Sequence, residues 1–394
     1  MRFYLIFLPL LFFACSNSSE SDLSQILKGG SGPFQQRLAN PKHEIQIVYG
    51  RIEEDTIIHE YFNVDPNKFF YPASTVKMLV AFAAAQMLSD FEMPLNSSIK
   101  IDSQKYRPRT LSYDSLYNGP ITIENLLKKI FVFSDNQAYN ILYEWLGKDY
   151  INMLHDSLGL NTRIIHKLSE SAFSFSKESN HYSSTVELTS AVQDSELLNL
   201  GSAIYSVGEP QKWDSFLNPQ NQVKGRGYID STGRIVREPF DFSEKNFITL
   251  SDLLGSLERV VKPNLFDPRQ RYSYQQETYD DLMEIMLLRP RELPAPIDTL
   301  SDNYVKFFMY GDQEDGNYPE HIEIRNKVGW AYGYLTDIAY IRDRQKNIEF
   351  FLAATIHVNE NEIYNDGEYE YEEVGLPFLA ELGRLVYEFE ASQK

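Results

Sequence analysis

The stretch YPASTVKMLVAFAAAQML, residues 71–88, decides the fold of this chain. Its second part, from Met78 onward, has strong helical propensity and apolar side chains on every side. Such a helix has no polar face to present to water, so we expect it to be the buried central helix of the protein. A serine and a lysine, Ser74 and Lys77, therefore stand at the entrance to an apolar core.

Ser74 and Lys77 are a candidate catalytic pair. Residues three apart on a helix share a face, so their side chains can touch, and a nucleophilic serine needs a base to take its proton. A lysine can be that base only if burial or a neighbouring cation lowers its pKa. The start of a helix adds a partial positive field at Ser74. Alternatively, Ser74 only caps the helix and Lys77 lies on the surface.

Two more triplets follow Ser74 in the chain. Ser134-Asp135-Asn136 lies sixty residues later, within a helical segment over 121–147 that has Thr122 as a plausible N-cap and Gly147 as a stop. Lys327-Val328-Gly329 lies on a predicted strand, just before WAYGYLTDIAYI. Each triplet is common by chance, but this order with these flanking sequences is not. The ordered set, and not any single triplet, is therefore the informative feature.

The predicted elements place strands at both chain ends. Alternating β-branched and aromatic residues indicate strands over 44–50, 56–62, 321–327, 334–341 and 348–357. The first two are expected to form a hairpin, and the last ~20 residues an amphipathic helix. The fold class predicted is α+β (α/β three-layer): one antiparallel sheet from both chain ends, flanked by helices, with an inserted all-helical subdomain.

The domain boundaries follow from this pattern. We expect a signal peptide at 1–14, a polar tether at 15–38 and a single discontinuous domain at 39–394. Within that domain, 39–80 and 300–394 form the sheet region, and 80–300 form the helical region with an insertion at about 170–246. The sequence GYIDSTGRIVRE inside the insertion predicts a β-hairpin turning at Ser231-Thr232-Gly233.

The N-terminus is typical of an export signal. Met1-Arg2 precedes the apolar run 3–13, which is too short to span a bilayer, and Ala14-Cys15 follows. A cysteine after a small residue resembles the bacterial lipobox, so Cys15 is expected to carry lipid after cleavage. A simple secretory signal with an incidental cysteine is the alternative. The resemblance implies a membrane-anchored lipoprotein of the bacterial cell envelope, facing the periplasm or the cell exterior.

Composition excludes several classes of protein. The 394 residues carry a formal net charge of −19, which disfavours nucleic-acid binding, because phosphate contacts need clustered Lys and Arg. One cysteine excludes an internal disulfide framework and any multi-cysteine metal site. The seven histidines show no metal-ligand spacing. No metal and no cofactor are expected.

The three motifs together resemble those of the penicillin-recognising serine hydrolases, most closely the class A β-lactamases. The stretches that match are YPASTVKMLVAF, NGPITIENLLKKIFVFSDNQAYNILYEWLG and KVGWAYGYLTDIAYI. The last contains the family's K-T-G…G…(N/T)-D-I-A pattern in recognisable form. The resemblance covers about 40–165 and 247–390 and implies the β-lactamase/transpeptidase-like fold.

The resemblance also implies roles for the matching residues. Ser74 would attack a carbonyl and form an acyl-enzyme, and Lys77 would act as base or proton relay; which residue is the acylation base is disputed in the family. Ser134 would pass a proton to the leaving nitrogen. Asn136 would bind the amide side chain of the substrate.

The third motif would complete the substrate site. Lys327 would supply positive charge near the substrate carboxylate and near Ser134, and Gly329 is the glycine of the motif. The backbone N–H groups of Ser74 and Trp330 would form the oxyanion hole, worth about 3 kcal/mol per donor.

Two departures from the family pattern bear on activity. Val328 stands where the family has a hydroxyl residue, which removes a hydrogen bond worth roughly 0.5–3 kcal/mol. Leu168 falls on the position of the glutamate that hydrolyses the acyl-enzyme in class A enzymes. Glu170 and Glu178 are nearby and could substitute if the loop is rebuilt.

The leading functional hypothesis is a serine β-lactamase of class A type that acts through acyl-Ser74 on the β-lactam amide. The alternatives are a peptidoglycan D,D-peptidase-like enzyme and an acylating β-lactam-binding protein with poor deacylation. The expected partners are a small β-lactam or a peptidoglycan peptide, and a membrane through the lipid anchor only. The protein is expected to be a monomer.

Overall fold

The computed structural model describes residues 21–169, 178–181, 184–190, 197–200, 219–314 and 316–394; at 178, 181 and 197–200 it describes the backbone only. The predicted signal peptide and its Cys15 lie outside the described residues, as does much of the predicted insertion at 170–246.

The strands run through the whole described chain. In chain order they are β1 (Gln46–Glu53), β2 (Thr56–Phe62), β3 (Ser98–Ile101), β4 (Tyr113–Asp114), β5 (Gly119–Pro120), β6 (Thr162–Arg163), β7 (Val186–Thr189), β8 (Leu197–Leu200), β9 (Val223–Lys224), β10 (Gly227–Ile229), β11 (Ile235–Val236), β12 (Phe240–Asp241), β13 (Phe247–Ile248), β14 (Ile322–Ala331), β15 (Tyr334–Asp343), β16 (Ile348–His357) and β17 (Ile363–Tyr364).

The α-helices fill the space between the strands and cover them. In the described ranges they are α1 (Asp22–Lys28), α2 (Gly32–Ala39), α3 (Val76–Asp90), α4 (Ile123–Phe133), α5 (Asn136–Leu146), α6 (Lys148–Ser157), α7 (Leu250–Val261), α8 (Gln276–Ile285) and α9 (Leu376–Ser392). None of these helices combines the length and the apolar composition that crossing a bilayer requires.

One antiparallel sheet is built from both chain ends, as the sequence predicts. Its strand order is β14-β15-β16-β1-β2. Side chains of a strand alternate between the two faces, and both faces of β15 are buried. Ile338 and Tyr340 face the core that contains α3, whereas Leu335 and Ala339 face a second core that contains α9. The sheet is therefore the middle of three layers, which confirms the predicted fold class.

The apolar run after Lys77 forms the central helix. Thirteen of the fifteen residues of α3 are buried, Lys77 among them. The helix packs against α4, α5, α6 and α8. A helix without a polar face keeps its apolar side chains away from water only when such a bundle surrounds it. The prediction of a buried central helix is confirmed.

The predicted helical segment over 121–147 is broken in the middle. Thr122 caps α4 by accepting the N–H of Asn125 at 3.2 Å, and Gly147 ends α5 at φ 74°. Between the two helices Ser134 takes a left-handed conformation, with φ 60°, and Asp135 caps α5 by accepting the N–H of Ala138 at 2.6 Å. The break places Ser134 at a helix end instead of on a continuous helical surface.

The predicted tether over 15–38 is wrong from residue 22 onward. Ser21 and Ser31 are N-caps of α1 and α2, so serines that suggested a flexible linker in fact start helices. The apolar side chains of these helices are buried in the core beside α9: Leu23, Ile26, Leu27 and Phe34. The folded part therefore begins well before the predicted boundary at 39.

Short strands also occur in the region that was expected to be all-helical. Strands β3, β7 and β8 form a three-stranded sheet there. The hairpin predicted around Ser231-Thr232-Gly233 is confirmed, because β10 pairs antiparallel with β11. Strand β10 also pairs in parallel with β17. The described end of the insertion is thus joined to the C-terminal part of the chain.

If α1 and α2 belong to the folded core, Phe34→Ala should lower the free energy of unfolding by about 3 kcal/mol, because a fully buried ring is lost. Phe34 stacks on Phe378, with ring centroids 4.8 Å apart. Urea unfolding would measure the change, and the exposed Gln36→Ala is the control, expected within about 0.5 kcal/mol of the unmodified protein. Equal stability of the two variants would contradict this expectation and support the predicted tether.

Candidate active site

The site forms where the start of α3, the α4–α5 break and strand β14 meet. Gly329 makes this meeting possible: a Cβ at that position would lie 2.6 Å from the carbonyl oxygen of Pro72 and 2.9 Å from the backbone nitrogen of Ser74. Real Cβ atoms do not approach backbone so closely, so only glycine lets the strand touch the turn that carries Ser74. This contact gives the predicted site residue Gly329 a physical role.

Ser74 lies in a strained turn just before α3. It belongs to a single 3₁₀ turn, Ala73–Thr75, and Ala73 has φ 47°, in the left-handed region. For a residue with a Cβ this conformation costs roughly 1–2 kcal/mol. The hydroxyl of Thr75 donates to the carbonyl of Pro72 at 2.6 Å and holds the turn in place. Ser74 is thus fixed at the N-terminal end of the buried helix.

Lys77 is fully buried one turn further on, and its ammonium group points to Ser134. Its Nζ donates to the Ser134 hydroxyl at 3.1 Å and also to the Ser134 carbonyl. Burial lowers the pKa of Lys77 to about 7, although the charge of Asp135 opposes this. In the described part of the chain the Ser74 hydroxyl makes no hydrogen bond. Among the described residues Lys77 is hydrogen-bonded to Ser134, and the Ser74–Lys77 contact expected from spacing stays a prediction.

Lys327 reaches the same hydroxyl from strand β14. Its Nζ donates to Ser134 Oγ at 2.9 Å and to the carbonyl of Val328 at 2.9 Å, and its side chain is buried. Burial lowers the pKa of Lys327 well below its ordinary value, and the nearby Lys77 lowers it further. Because both lysines donate to Ser134 Oγ, the hydroxyl hydrogen of Ser134 remains available for a substrate atom.

Asn136 connects the site to the following loop. Its side-chain Nδ2 donates to the carbonyl of Ser169 at 2.7 Å. Asn136 therefore lies next to Ser134, as the motif implies, but its side-chain amide is hydrogen-bonded to the backbone of the loop. Its role in binding the substrate amide stays a prediction.

Leu168 stands in that loop at the position where the resemblance expects a glutamate. Its backbone N–H donates to Asn140 Oδ1 at 2.8 Å, and its carbonyl accepts from Asn140 Nδ2 at 2.8 Å. The leucine side chain is buried in the main apolar core. Glu170 lies outside the described residues, and Glu178 is described only in its backbone. In the described part the loop thus offers an apolar side chain where class A enzymes carry a base.

A buried ionic cluster anchors the loop, and sequence reasoning missed it. Glu144 on α5 accepts from Arg107 Nε at 2.9 Å, Lys167 Nζ at 2.9 Å and Ser184 Oγ at 2.7 Å. Burial alone would raise the pKa of Glu144, but the charges of Lys167 and Arg107 hold it below its usual value. In the sequence, the one sign of this cluster is that Glu144 is a charged residue within the apolar run YNILYEWL. Its partners are too far away along the chain to be identified from the sequence.

The third motif also departs from expectation. The side chain of Val328 is buried among the apolar side chains of the second core. Trp330 is 41% exposed, and its ring stacks on Phe307 with centroids 5.3 Å apart. Trp330 follows Gly329 on strand β14, which packs against the turn that carries Ser74. The oxyanion hole from the N–H groups of Ser74 and Trp330 agrees with this placement and stays a prediction.

Known proteins resemble this chain in sequence and in fold. A model of the β-lactamase enzyme family matches residues 34–207. The β-lactamases ROB-1 of Haemophilus influenzae and of Mannheimia haemolytica are each 32% identical over 152 residues, which make up 36% of this chain and 48% of the relative. The chain thus spans about half the length of the curated relatives it matches.

Solved structures extend the likeness over nearly the whole chain. The TLA-3 extended-spectrum β-lactamase superposes with a TM-score of 0.52 at 14% identity, covering 93% of this chain and 98% of that one. A β-lactamase from Burkholderia vietnamiensis gives 0.50 at 11% identity, covering 96% and 100%. Identities this low establish the fold alone. The resemblance to β-lactamases inferred from the three motifs is nevertheless confirmed at the level of fold: this chain has the fold of these solved β-lactamases, and its residues 34–207 match the β-lactamase enzyme family.

Proposed function

We propose that this protein is a serine hydrolase of class A β-lactamase type that opens the β-lactam amide through an acyl-enzyme on Ser74. One observation carries the proposal: two buried lysines, Lys77 and Lys327, both donate to the Ser134 hydroxyl beside the turn that holds Ser74. A surface lysine or a capping serine needs no such arrangement. The similarity to β-lactamases in sequence and fold supports it.

The acylation step can be written with these residues. Ser74 Oγ forms a bond to the carbonyl carbon and gives its proton to neutral Lys77. The carbon–nitrogen bond then breaks, and the nitrogen takes the hydroxyl proton of Ser134. Lys77 returns its proton to Ser134 across the 3.1 Å hydrogen bond, so both side chains regain their starting states. The carboxylate of the substrate lies near Lys327, the cation closest to Ser134 on the strand side.

Fluorescent penicillin should label Ser74. The rate of labelling should rise with pH through a midpoint near 7, because only neutral Lys77 can take the proton of the Ser74 hydroxyl. Lys77→Met should slow labelling by about 10²–10⁴-fold, the usual contribution of a general base. The matched control is Lys42→Met, since the Lys42 side chain is 71% exposed. Stopped-flow labelling and intact mass are the measurements. An adduct that survives Ser74→Ala would refute the nucleophile assignment.

A second candidate function rests on Leu168 alone, because the matches to β-lactamases do not favour it. Hydrolysis of the acyl-enzyme needs a base to activate water, and the loop held by Asn140 presents a buried leucine at that position. A protein with this loop would be acylated and would then release its acyl group slowly. A peptidoglycan D,D-peptidase-like enzyme and an acylating β-lactam-binding protein both fit slow release.

If Leu168 limits release, a chromogenic cephalosporin should give a burst of about one equivalent, followed by slow turnover. Leu168→Glu should raise the steady-state rate at least about tenfold over Leu168→Gln, which has a similar shape but no base. Thermal unfolding checks that both variants fold, because position 168 is buried. Fast linear hydrolysis by the unmodified protein, with no adduct detected by mass, would show that another group supplies the base.

We also propose that the protein is a lipoprotein of the bacterial cell envelope, attached through Cys15. The apolar run 3–13 followed by Ala14-Cys15 motivates this. Expression in a bacterium with an alkyne-tagged fatty acid should label the unmodified protein and leave Cys15→Ser unlabelled. Labelling of the serine variant, or an unlabelled unmodified protein, would favour the simple secretory signal.

A further inference from the structure

The described end of the insertion, from residue 219 onward, is fastened to the folded core. Lys224 Nζ donates to both carboxylate oxygens of Glu44, at 2.9 and 2.8 Å, and the two side chains are only 7% and 21% exposed. Strand β9, which carries Lys224, pairs with β12, and β10 pairs with β17. A segment held at several points in this way keeps its side chains in fixed positions.

Aromatic rings connect the same segment to the proposed active site. The ring of Phe240 on β12 lies 5.3 Å from that of Tyr332, in the turn that follows β14. The ring of Tyr332 meets that of Tyr71 edge-on, with centroids 5.1 Å apart. Tyr71 stands three residues before Ser74. The insertion is therefore joined, through two ring contacts, to the segment that leads into the turn of the proposed nucleophile.

A lysine of the insertion lies over these rings. Lys245 Nζ is 5.7 Å from the ring centroid of Tyr332 and 6.0 Å from that of Phe240, within the range of cation–π contacts. The Lys245 side chain is half-buried, and in the described part of the chain its Nζ makes no hydrogen bond and no ion pair. The two rings thus hold a cation that has no carboxylate partner among the described residues.

The residue after Lys245 ties it to the loop that follows β6. Asn246 Oδ1 accepts the N–H groups of Ile165 and His166, at 2.8 and 3.0 Å, and its Nδ2 donates to the carbonyl of His166 at 3.1 Å. The same loop accepts a hydrogen bond from the side chain of Asn136. Lys245 therefore lies between the turn after β14 and this loop, and both of them border the site.

The site thus has cations at two separate places. Lys327 donates to the Ser134 hydroxyl from β14, where the proposed function puts the carboxylate of the substrate. Lys245 instead lies beside the loop that is hydrogen-bonded to Asn136, the residue to which the resemblance assigns the amide side chain of the substrate. A substituent that extends from that amide along the loop would meet Lys245.

We propose that Lys245 is a specificity-determining residue, which favours β-lactams whose acyl side chain carries a carboxylate of its own. This proposal rests on the function proposed above, because it assumes that Ser74 is acylated. A carboxylate at this place would meet an ammonium group that is partly withdrawn from water, and opposite charges attract more strongly where solvent screening is reduced. The rings of Tyr332 and Phe240 hold that group without neutralising its charge.

The test compares benzylpenicillin with its α-carboxy analogue, which differs from it by one carboxylate on the acyl side chain. The measured quantity is the ratio of their second-order rate constants for acylation of Ser74, followed by rapid quenching and intact mass. The ratio of the α-carboxy compound to benzylpenicillin should fall about two- to fivefold in Lys245→Met, as expected for a partly exposed ion pair. Methionine keeps an apolar stem against the rings and removes the charge.

Two further variants at the same position separate charge from packing. Lys245→Arg keeps the charge and should keep the ratio, whereas Lys245→Glu should lower it below that of Lys245→Met. The matched control is Lys42→Met, which should leave the ratio unchanged, since the Lys42 side chain is 71% exposed. A structural role of Lys245 would change both rate constants alike and leave their ratio constant.

Salt provides a readout that needs no substitution. Added NaCl should lower the ratio in the unmodified protein, because it screens the attraction between Lys245 and the second carboxylate. The ratio in Lys245→Met should respond much less. Thermal unfolding of each variant checks that it is folded under the conditions of the assay.

A ratio that stays constant in folded Lys245→Met, or that does not respond to salt in the unmodified protein, would overturn the inference. An equal fall in Lys42→Met would also overturn it, because the net charge of the protein would then explain the preference. If neither penicillin acylates Ser74, the proposed function fails and this inference falls with it. If both acylate Ser74 and only the expected difference between them is missing, this inference alone fails.

Discussion

The whole site depends on the burial of two lysines against one hydroxyl group. Lys77 and Lys327 come from different elements, and both donate to Ser134 Oγ, at 3.1 and 2.9 Å. Neither ammonium group could be held there by the other, because like charges repel. The surrounding fold must hold them: α3 fixes Lys77 inside an apolar bundle, and β14 fixes Lys327 in a sheet covered on both faces. The desolvation that this imposes is also what makes Lys77 able to act as a base near neutral pH.

Local strain serves the same arrangement. Ala73 and Ser134 both take left-handed conformations, one beside the proposed nucleophile and the other at the proton donor. Each costs on the order of 1–2 kcal/mol and persists only where the surroundings determine it. Gly329 removes the remaining obstacle, since any side chain there would collide with the backbone of the Ser74 turn. Strain and close packing occur together at the point where three elements meet.

The sequence alone predicts those structural features whose physical cause lies in a few neighbouring residues. The apolar run after Lys77, the cap at Thr122 and the stop at Gly147 were all predicted, because a few neighbouring residues determine them. The resemblance of the three ordered motifs to a known family is what predicted Ser74, Ser134 and Lys327 in one site. The tether was misjudged because serine and glycine occur both in flexible linkers and at helix ends, and only the burial of Phe34 distinguishes the two. The cluster around Glu144 was not predictable, since it depends on partners that only the fold brings together.

The structure therefore gives more support to the acylation half of the proposed reaction than to the deacylation half. The groups needed for acylation are present: a buried lysine with a lowered pKa, a shared hydroxyl and a cation for the substrate carboxylate. The loop that would serve deacylation is anchored, because Asn140 holds residue 168 by both backbone groups and Glu144 holds Lys167. What differs is the side chain at 168, which is apolar and turned into the core. Since the position of the loop and the chemistry of its side chain depend on different residues, one can be kept while the other changes, and the slow release proposed for the acyl-enzyme depends on the second.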